Sequence, residues 1–440
     1  MFSTGYKRYV LFVLTGSCTL SLLDSGLLGL LLQPIKEDLH LSDTQLGLLT
    51  GIVFGLFYAV LGLPMARWAD RGNRTTITGV ALALWGLAVM TSLFVSNFMQ
   101  LLLMRIGAAV GDAGVRPPTY SLVGDYFPEA AERTRAMALY WTSGPLAALL
   151  SFVAGGWLNE QYGWRVTFFL VGIPGLLAAL VVKLSISEPR LRVPRVVTTE
   201  QPSPRMLEVL ATMWRRHATR HIVIALILVQ TMAVGLNPWI AAFMIRSHGM
   251  GTTEVGLWLG SILGLGGFAG ALLGGYVSAR WFGQDERGQM RMSALTISAL
   301  VPCFAAFLLL PERHQALMAL VPWMVSFGFF VGPTYALLQR LVAAQMRATS
   351  LALLMLFGNL IGLGVGPLIV GILSDLLMPA LGSDSLRYAM LAMCSVALWA
   401  ACHFWIVGRT VADDLRTAAA SADEQGVVGA RPVHALEGSS

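Results

Sequence analysis

Charge is what this chain has least of. Of its 440 residues only 12% are Asp, Glu, Lys or Arg, while 56% are apolar. Soluble domains carry about 25% charged residues. A water-facing surface cannot be covered with so few, whereas a lipid-facing one needs no such cover. Cysteine is also sparse. Cys18, Cys303, Cys394 and Cys402 sit inside apolar runs with no partner at metal-ligand spacing, which excludes a disulfide scaffold and a zinc module. There is no H-E-x-x-H, no G-x-S-x-G, no Gly-rich phosphate loop and no histidine cluster, so nothing implies an enzyme, a cofactor or a bound metal. The net charge of +6 is not gathered into a basic run with interleaved aromatics, and nucleic acid is excluded as a partner.

What is present is length in apolar runs. A bilayer core about 30 Å thick needs about 20 apolar residues in helix. Runs of that kind lie near 9–33, 44–66, 75–96, 98–124, 134–158 and 164–186, then near 220–245, 254–279, 291–311, 315–339, 347–374 and 386–408. They lack ten-residue alternation, so helices rather than a barrel are expected. Lys7-Arg8 before the first run imitates a secretory signal, but no small-residue cleavage site closes it, and it reads as a retained first span.

Alternate connections differ sharply in cations. One side holds Lys7, Arg8, Arg67, Arg71, Arg74, Arg133, Arg135, the middle loop, Arg280, Arg287, Arg291, Arg340, Arg347 and Arg409, and the other only Lys36, Arg165, Arg246, Arg313 and Arg387. The positive-inside rule then puts both termini in the cytoplasm and requires an even number of spans, which twelve satisfies. The expected organisation is a six-helix bundle over 1–186, a basic Pro-containing linker over 187–218 with an interfacial helix in it, a second bundle over 219–409, and a disordered tail over 410–440.

The two halves repeat one another. "PTYSL" at 118–122 is followed by "ERTRAMAL" at 132–139, and "PTYAL" at 333–337 by "QMRATSLAL" at 345–353. Both stand in the fourth span of their half and lead across a loop into the fifth. Parallel six-span repeats mark a two-bundle transporter.

At "ARWADRGNR", 66–74, the chain resembles the major facilitator superfamily, whose loop after span two reads G-x-x-x-D-R-x-G-x-R/K; here Ala66 and Asn73 replace the two glycines. The resemblance implies twelve helices in two pseudo-symmetric six-helix bundles, and a cytoplasmic gate at Asp70, Arg71 and Arg74. The corresponding second-half loop, "GGYVSAR" at 274–280, has lost the acid. A nearer likeness is to the Spinster-like branch, carried by "SLLDSG" at 21–26, "RIGAAVGDAG" at 105–114 and "DRGNR" at 70–74. It assigns Asp24, Arg105 and Asp112 to the family's membrane charges, with Ser25 in place of an arginine and Arg116 as an extra cation. It also implies a secondary carrier of small organic or lipid-like solutes, such as lysophospholipids, working by alternating access in the inner membrane of the cell.

Charges within spans are expensive, at least about 2.5–3.5 kcal/mol at mid-bilayer, so they must face protein or a wet cavity. Arg105, Asp112 and Arg116 are spaced seven and four apart and share one helical face. Arg116 is expected to stand in for the arginine missing at position 25 and to hold an acid ionised until substrate or a proton arrives. The other reading is a permanent Asp–Arg lock. Tyr120, Gln230, Asn237, Tyr335 and Asn359 either contact substrate or bridge helices, and Phe54, Tyr58 and Trp141 either line an apolar cavity or face lipid. Glycine ladders at 256/260/264, 266/270/274 and 358/362/366 let helices approach closely. His403 alone among the histidines lies well inside a span and reads as a helix-bridging group. A monomeric, proton-linked carrier is the leading reading. The alternatives are a transporter-shaped sensor or a uniporter without proton coupling.

Overall fold

A computed structural model describes residues 2–191, 206–282, 285–326 and 328–429, apart from the side chains of some helical positions, Tyr58 and Asp70 among them. Among the described residues there is helix and no strand. Eight continuous helical stretches are long and apolar enough to cross a bilayer. Two of these cross twice: Ala130–Ser185 folds over at Gly163, and Thr349–Thr417 folds over near Gly382. Both glycines have positive φ, a backbone region costly for residues with a Cβ. Two broken spans, Asp43–Thr50 with Ile52–Arg71 and Arg313–Ser326 with Gly328–Leu341, complete the twelve. The chain is thus the two-bundle helical membrane protein that its sequence describes.

The break in span four follows from local sequence. Span four is Phe98–Ala113 and Arg116–Tyr126. It re-initiates at Arg116-Pro117-Pro118 because prolines lack the N–H that a continuing helix would need but are well placed in a first turn. Span eleven runs from Arg347–Phe357 through a π-turn, Gly358–Leu363, into Gly364–Leu381. Span one is Thr4–Leu39, span three Arg74–Met90, span seven His217–His248, span eight Thr252–Phe282 and span nine Glu286–Leu309.

Among the described residues the halves touch in close backbone fashion. A Cβ on Gly47 would strike Pro367 and Leu368, one on Gly51 would strike the Gly364 carbonyl, and one on Gly371 would strike the Asp43 carbonyl. Spans five and eight meet the same way at Gly156 against Thr252 and at Gly256 against Phe152. Small residues allow this approach where lipid supplies no hydrophobic drive between helices. The ladder at Gly256 therefore works between halves, while Gly362 and Gly366 press on Gln230 and Gly235 of span seven within one half.

Two segments outside the spans are ordered. Within the linker, Met206–Arg215 is helical, burying Val209 and Met213 four residues apart while Leu207 and Trp214 are exposed. Residues 192–205 of the linker and 430–440 of the tail lie outside the described residues. The tail's expected disorder from 410 does not hold at its start, because the last helix, Cys394–Gly429, runs on. Val411 is fully buried there, and Asp414 Oδ2 accepts the Ala218 amide N–H at 2.6 Å, capping span seven.

Candidate functional site

The buried charges of the first half form two pairs. Asp24 of span one accepts a hydrogen bond from Arg105 Nη1 of span four, and both residues are at most 1% exposed. The Arg105 guanidinium lies over the Phe54 ring, 5.0 Å from its centroid. Span four also packs closely on span three, where Gly107, Gly111 and Gly114 face Ala88, Trp85 and Ala81 with no room for a Cβ. Asp112, equally buried, accepts from Arg116 Nη2 at 2.9 Å, and Arg116 is about a third exposed, at 30% of its side chain. The arginine that Asp24 receives is therefore Arg105, not Arg116. After the helix break at Ala113, Arg116 lines open space.

That space is a cavity of about 450 Å³ between the halves. It brings together Arg116, Tyr120 and Trp141 of the first half with Gln230, Tyr335 and Asn359 of the second. Both pentapeptide tyrosines are there, one from each half. Tyr120 packs at a tilt against Trp141 and Tyr140, with centroids 5.6 and 5.0 Å away. The π-turn of span eleven carries Asn359, and π-turns recur where a helix must re-aim a side chain. Arg105, Phe54 and Asn237 instead line a smaller pocket of about 130 Å³ with Ser25 and Thr50, nearer the closed end. Asp24 and Asp112 line neither hollow but stand behind their arginines. Tyr58 lies outside the described side chains.

The loop residues are placed differently from one another. Arg74 is fully buried and bonds Glu188 through both its side chain and its backbone N–H, with Asp125 Oδ2 at 2.7 Å and Ser121 Oγ at 2.8 Å. Ser121 and Asp125 belong to span four and Glu188 to the start of the linker, so Arg74 ties spans three and four to the segment after span six. Burial opposes the charge on Glu188, but the hydrogen bonds from Arg74 prevail and hold its carboxyl below the usual glutamate range. Arg71 is exposed, and the Asp70 side chain lies outside the description. His403 bonds His221 of span seven, Nδ1 to Nδ1 at 2.6 Å.

Sequence reading missed the charges that join the halves at the closed end. Asp43, fully buried at the start of span two, accepts from Lys36 Nζ at 2.6 Å, from Arg246 Nη1 and Nη2 at 2.9 Å each, and from Ser374 Oγ at 2.5 Å. Arg246 also donates to Gln33 Oε1 at 2.9 and 3.1 Å. Asp375 of span eleven accepts the backbone N–H groups of Asp43 and Thr44 at 3.0 and 2.7 Å, capping a helix of the other half. The pointer was available: Lys36 and Arg246 are two of the five cations on the cation-poor side.

The family model described as Major Facilitator Superfamily matches residues 14–367. A protein of Mycolicibacterium smegmatis named MFS-type efflux pump is 30% identical over 403 residues, 90% of this chain and 91% of that protein. The probable L-galactonate transporter of Escherichia coli is 25% identical over 430 residues, 93% of this chain and 92% of that one. Among solved structures, a bacterial homolog of the human lysosomal transporter Spinster, inward-facing and unoccupied, superposes with a TM-score of 0.82 at 26% identity, covering 94% of this chain and 99% of that one.

Proposed function

Because this chain belongs to the Major Facilitator Superfamily and is a multi-pass membrane transporter, we propose that it carries a small amphiphilic organic anion by alternating access, with a proton as the coupling ion. The observation that carries this reading is the asymmetry of the Asp112–Arg116 pair. Arg116 reaches the cavity while Asp112 is buried behind it. An anionic group entering the cavity competes for the Arg116 guanidinium, which offers a planar fork suited to carboxylate or phosphate. Asp112 is then left as a buried carboxylate without its cation, and a proton carried with the solute would neutralise it. Substrate and proton thus bind together, and both charges are neutralised before the halves move.

Tyr120, Trp141 and Tyr335 give the cavity an aromatic wall for an apolar body, and Gln230 and Asn359 give it neutral hydrogen-bonding groups. The halves are sealed at the Asp43 end and hollow between Arg116 and Tyr335, which makes this an arrangement open toward the side of the termini. With the cations gathered on that side, it is the cytoplasmic one. The relative named an efflux pump makes export the direction to test first. A single chain holds the whole cavity, which supports a monomer as the working unit.

Proteoliposomes holding the purified protein test the coupling. A ligand-induced thermal-shift screen first selects the solute, and its flux is then driven by a pH gradient. Asp112→Asn is expected to abolish the gradient's effect on flux while leaving solute binding within about threefold. Gradient-driven flux that persists in Asp112→Asn defeats the proposal. Tyr120→Ala and Tyr335→Ala are each expected to weaken solute binding by about tenfold, the loss of one aromatic contact.

A further inference from the structure

Beyond the central cavity, a further hollow lies against the second half, beneath the linker helix Met206–Arg215. It measures about 550 Å³, and every residue lining it is apolar, including Leu210 and Trp214 of the linker helix, Ile224 and Ile227 of span seven, and Phe357 of span eleven. In a membrane protein such a groove is filled by hydrocarbon. One end of it is different. Directly after Trp214 come Arg215, Arg216 and His217, and Arg220 follows one turn before Ile224. Arg215 is exposed, Arg216 donates to the Leu341 carbonyl, and Arg220 lies against His217 at 3.3 Å. Among the described residues none of these three arginines has a carboxylate partner. The nearby Asp414 is engaged by the Ala218 amide, and Glu208 sits at the far end of the linker helix.

We propose that this groove binds one anionic phospholipid of the leaflet on the side of the termini, its acyl chain along the apolar lining and its phosphate at Arg215, Arg216 and Arg220. The shape supplies the first half of the recognition and the charge the second. A neutral lipid fills the groove equally well but gains nothing from the arginines, whereas each cation near a lipid phosphate contributes about 1 kcal/mol. The amphipathic linker helix, lying flat over spans seven and eleven, is the kind of element that seats itself at this depth. Leu354 lines both this groove and the central cavity. A bound acyl chain therefore buttresses the cavity wall from behind, and lipid composition acts on the transport site through one side chain.

The test uses the full-length purified protein with phosphatidylglycerol or phosphatidylcholine of the same chain length, read by thermal unfolding and by native mass spectrometry. Phosphatidylglycerol is expected to raise the melting temperature and to be retained more than phosphatidylcholine. The Arg215→Gln/Arg216→Gln/Arg220→Gln variant is expected to lose that preference, about fivefold for each arginine removed. Ile224→Trp, which fills the groove and keeps every charge, is expected to lose retention of both lipids, and the three Arg→Lys changes are expected to keep the preference. Equal retention of the two lipids by the unaltered protein overturns the proposal, and so does a preference that survives in both the glutamine and the tryptophan variants. If the glutamine variant does not fold, Ile224→Trp decides alone: undiminished phosphatidylglycerol retention places the lipid elsewhere.

Discussion

Asp24 and Arg105 are both legible in the sequence as charges inside spans, yet their pairing is not. Periodicity places Arg105, Asp112 and Arg116 on one face, and only the break at Arg116-Pro117-Pro118 decides which arginine each acid receives. A fully buried pair is costly to break by halves, since the remaining charge keeps its desolvation penalty. Arg105→Ala is therefore expected to destabilise the protein by about 3–5 kcal/mol, and Asp24→Asn together with Arg105→Gln by clearly less, as thermal unfolding in detergent will read. At Glu188 the sign of a pH effect follows from its lowered carboxyl. A depressed acid contributes stability that is present above the ordinary glutamate range and is lost as pH falls through the folded value. The unaltered protein is thus expected to lose melting temperature below about pH 4.3, the usual glutamate value, more steeply than Glu188→Gln does. Equal slopes would show that Glu188 makes no such contribution.

At the scale of the element, apolar run length locates all twelve spans and the repeat fixes their order, because both follow from the bilayer's thickness and from duplication. The breaks are less legible. Proline announces the one in span four, but nothing local marks Gly51, whose backbone bends because Gly364 of the other half lies against it. A long-range contact leaves no trace in a window of neighbours. The tail shows the same limit: its small polar residues suggest disorder, while Val411 and Asp414 find distant partners that extend the helix. Gly51→Val is expected to hold the two halves apart at the Asp43 end. A cysteine placed at Thr50, otherwise buried, would then label with a membrane-impermeant maleimide about tenfold faster, and unchanged labelling would show that the seam tolerates the side chain.

For the whole molecule, the charges around Asp43 are contacts that any opening of that end would have to break. A hydrogen bond to a charged group contributes about 1.5–3 kcal/mol, and about 1.4 kcal/mol already shifts a two-state population tenfold. Arg246→Gln and Asp43→Asn are each expected to favour opening of that end, raising Thr50 labelling without abolishing folding. Exchanging the charges, Asp43→Arg with Arg246→Asp, is expected to restore part of the closure, although Lys36 would then face a like charge. These residues escape a sequence reader because a lone cation or acid beside a span looks like ordinary loop decoration, and only three-dimensional proximity of chain positions 43, 246 and 375 gives them a shared task.

The cap that Asp375 places on the first amides of span two has a consequence for speed. Those two N–H groups are held by Asp375 across the seam, so under the alternating access proposed above each opening of that end would strip a helix end that water must rewet. Cycling then has a hydration step built into it, and a heavy-water solvent or a drying osmolyte should slow turnover more in the native protein than in Asp375→Ala, whose helix end is already wet.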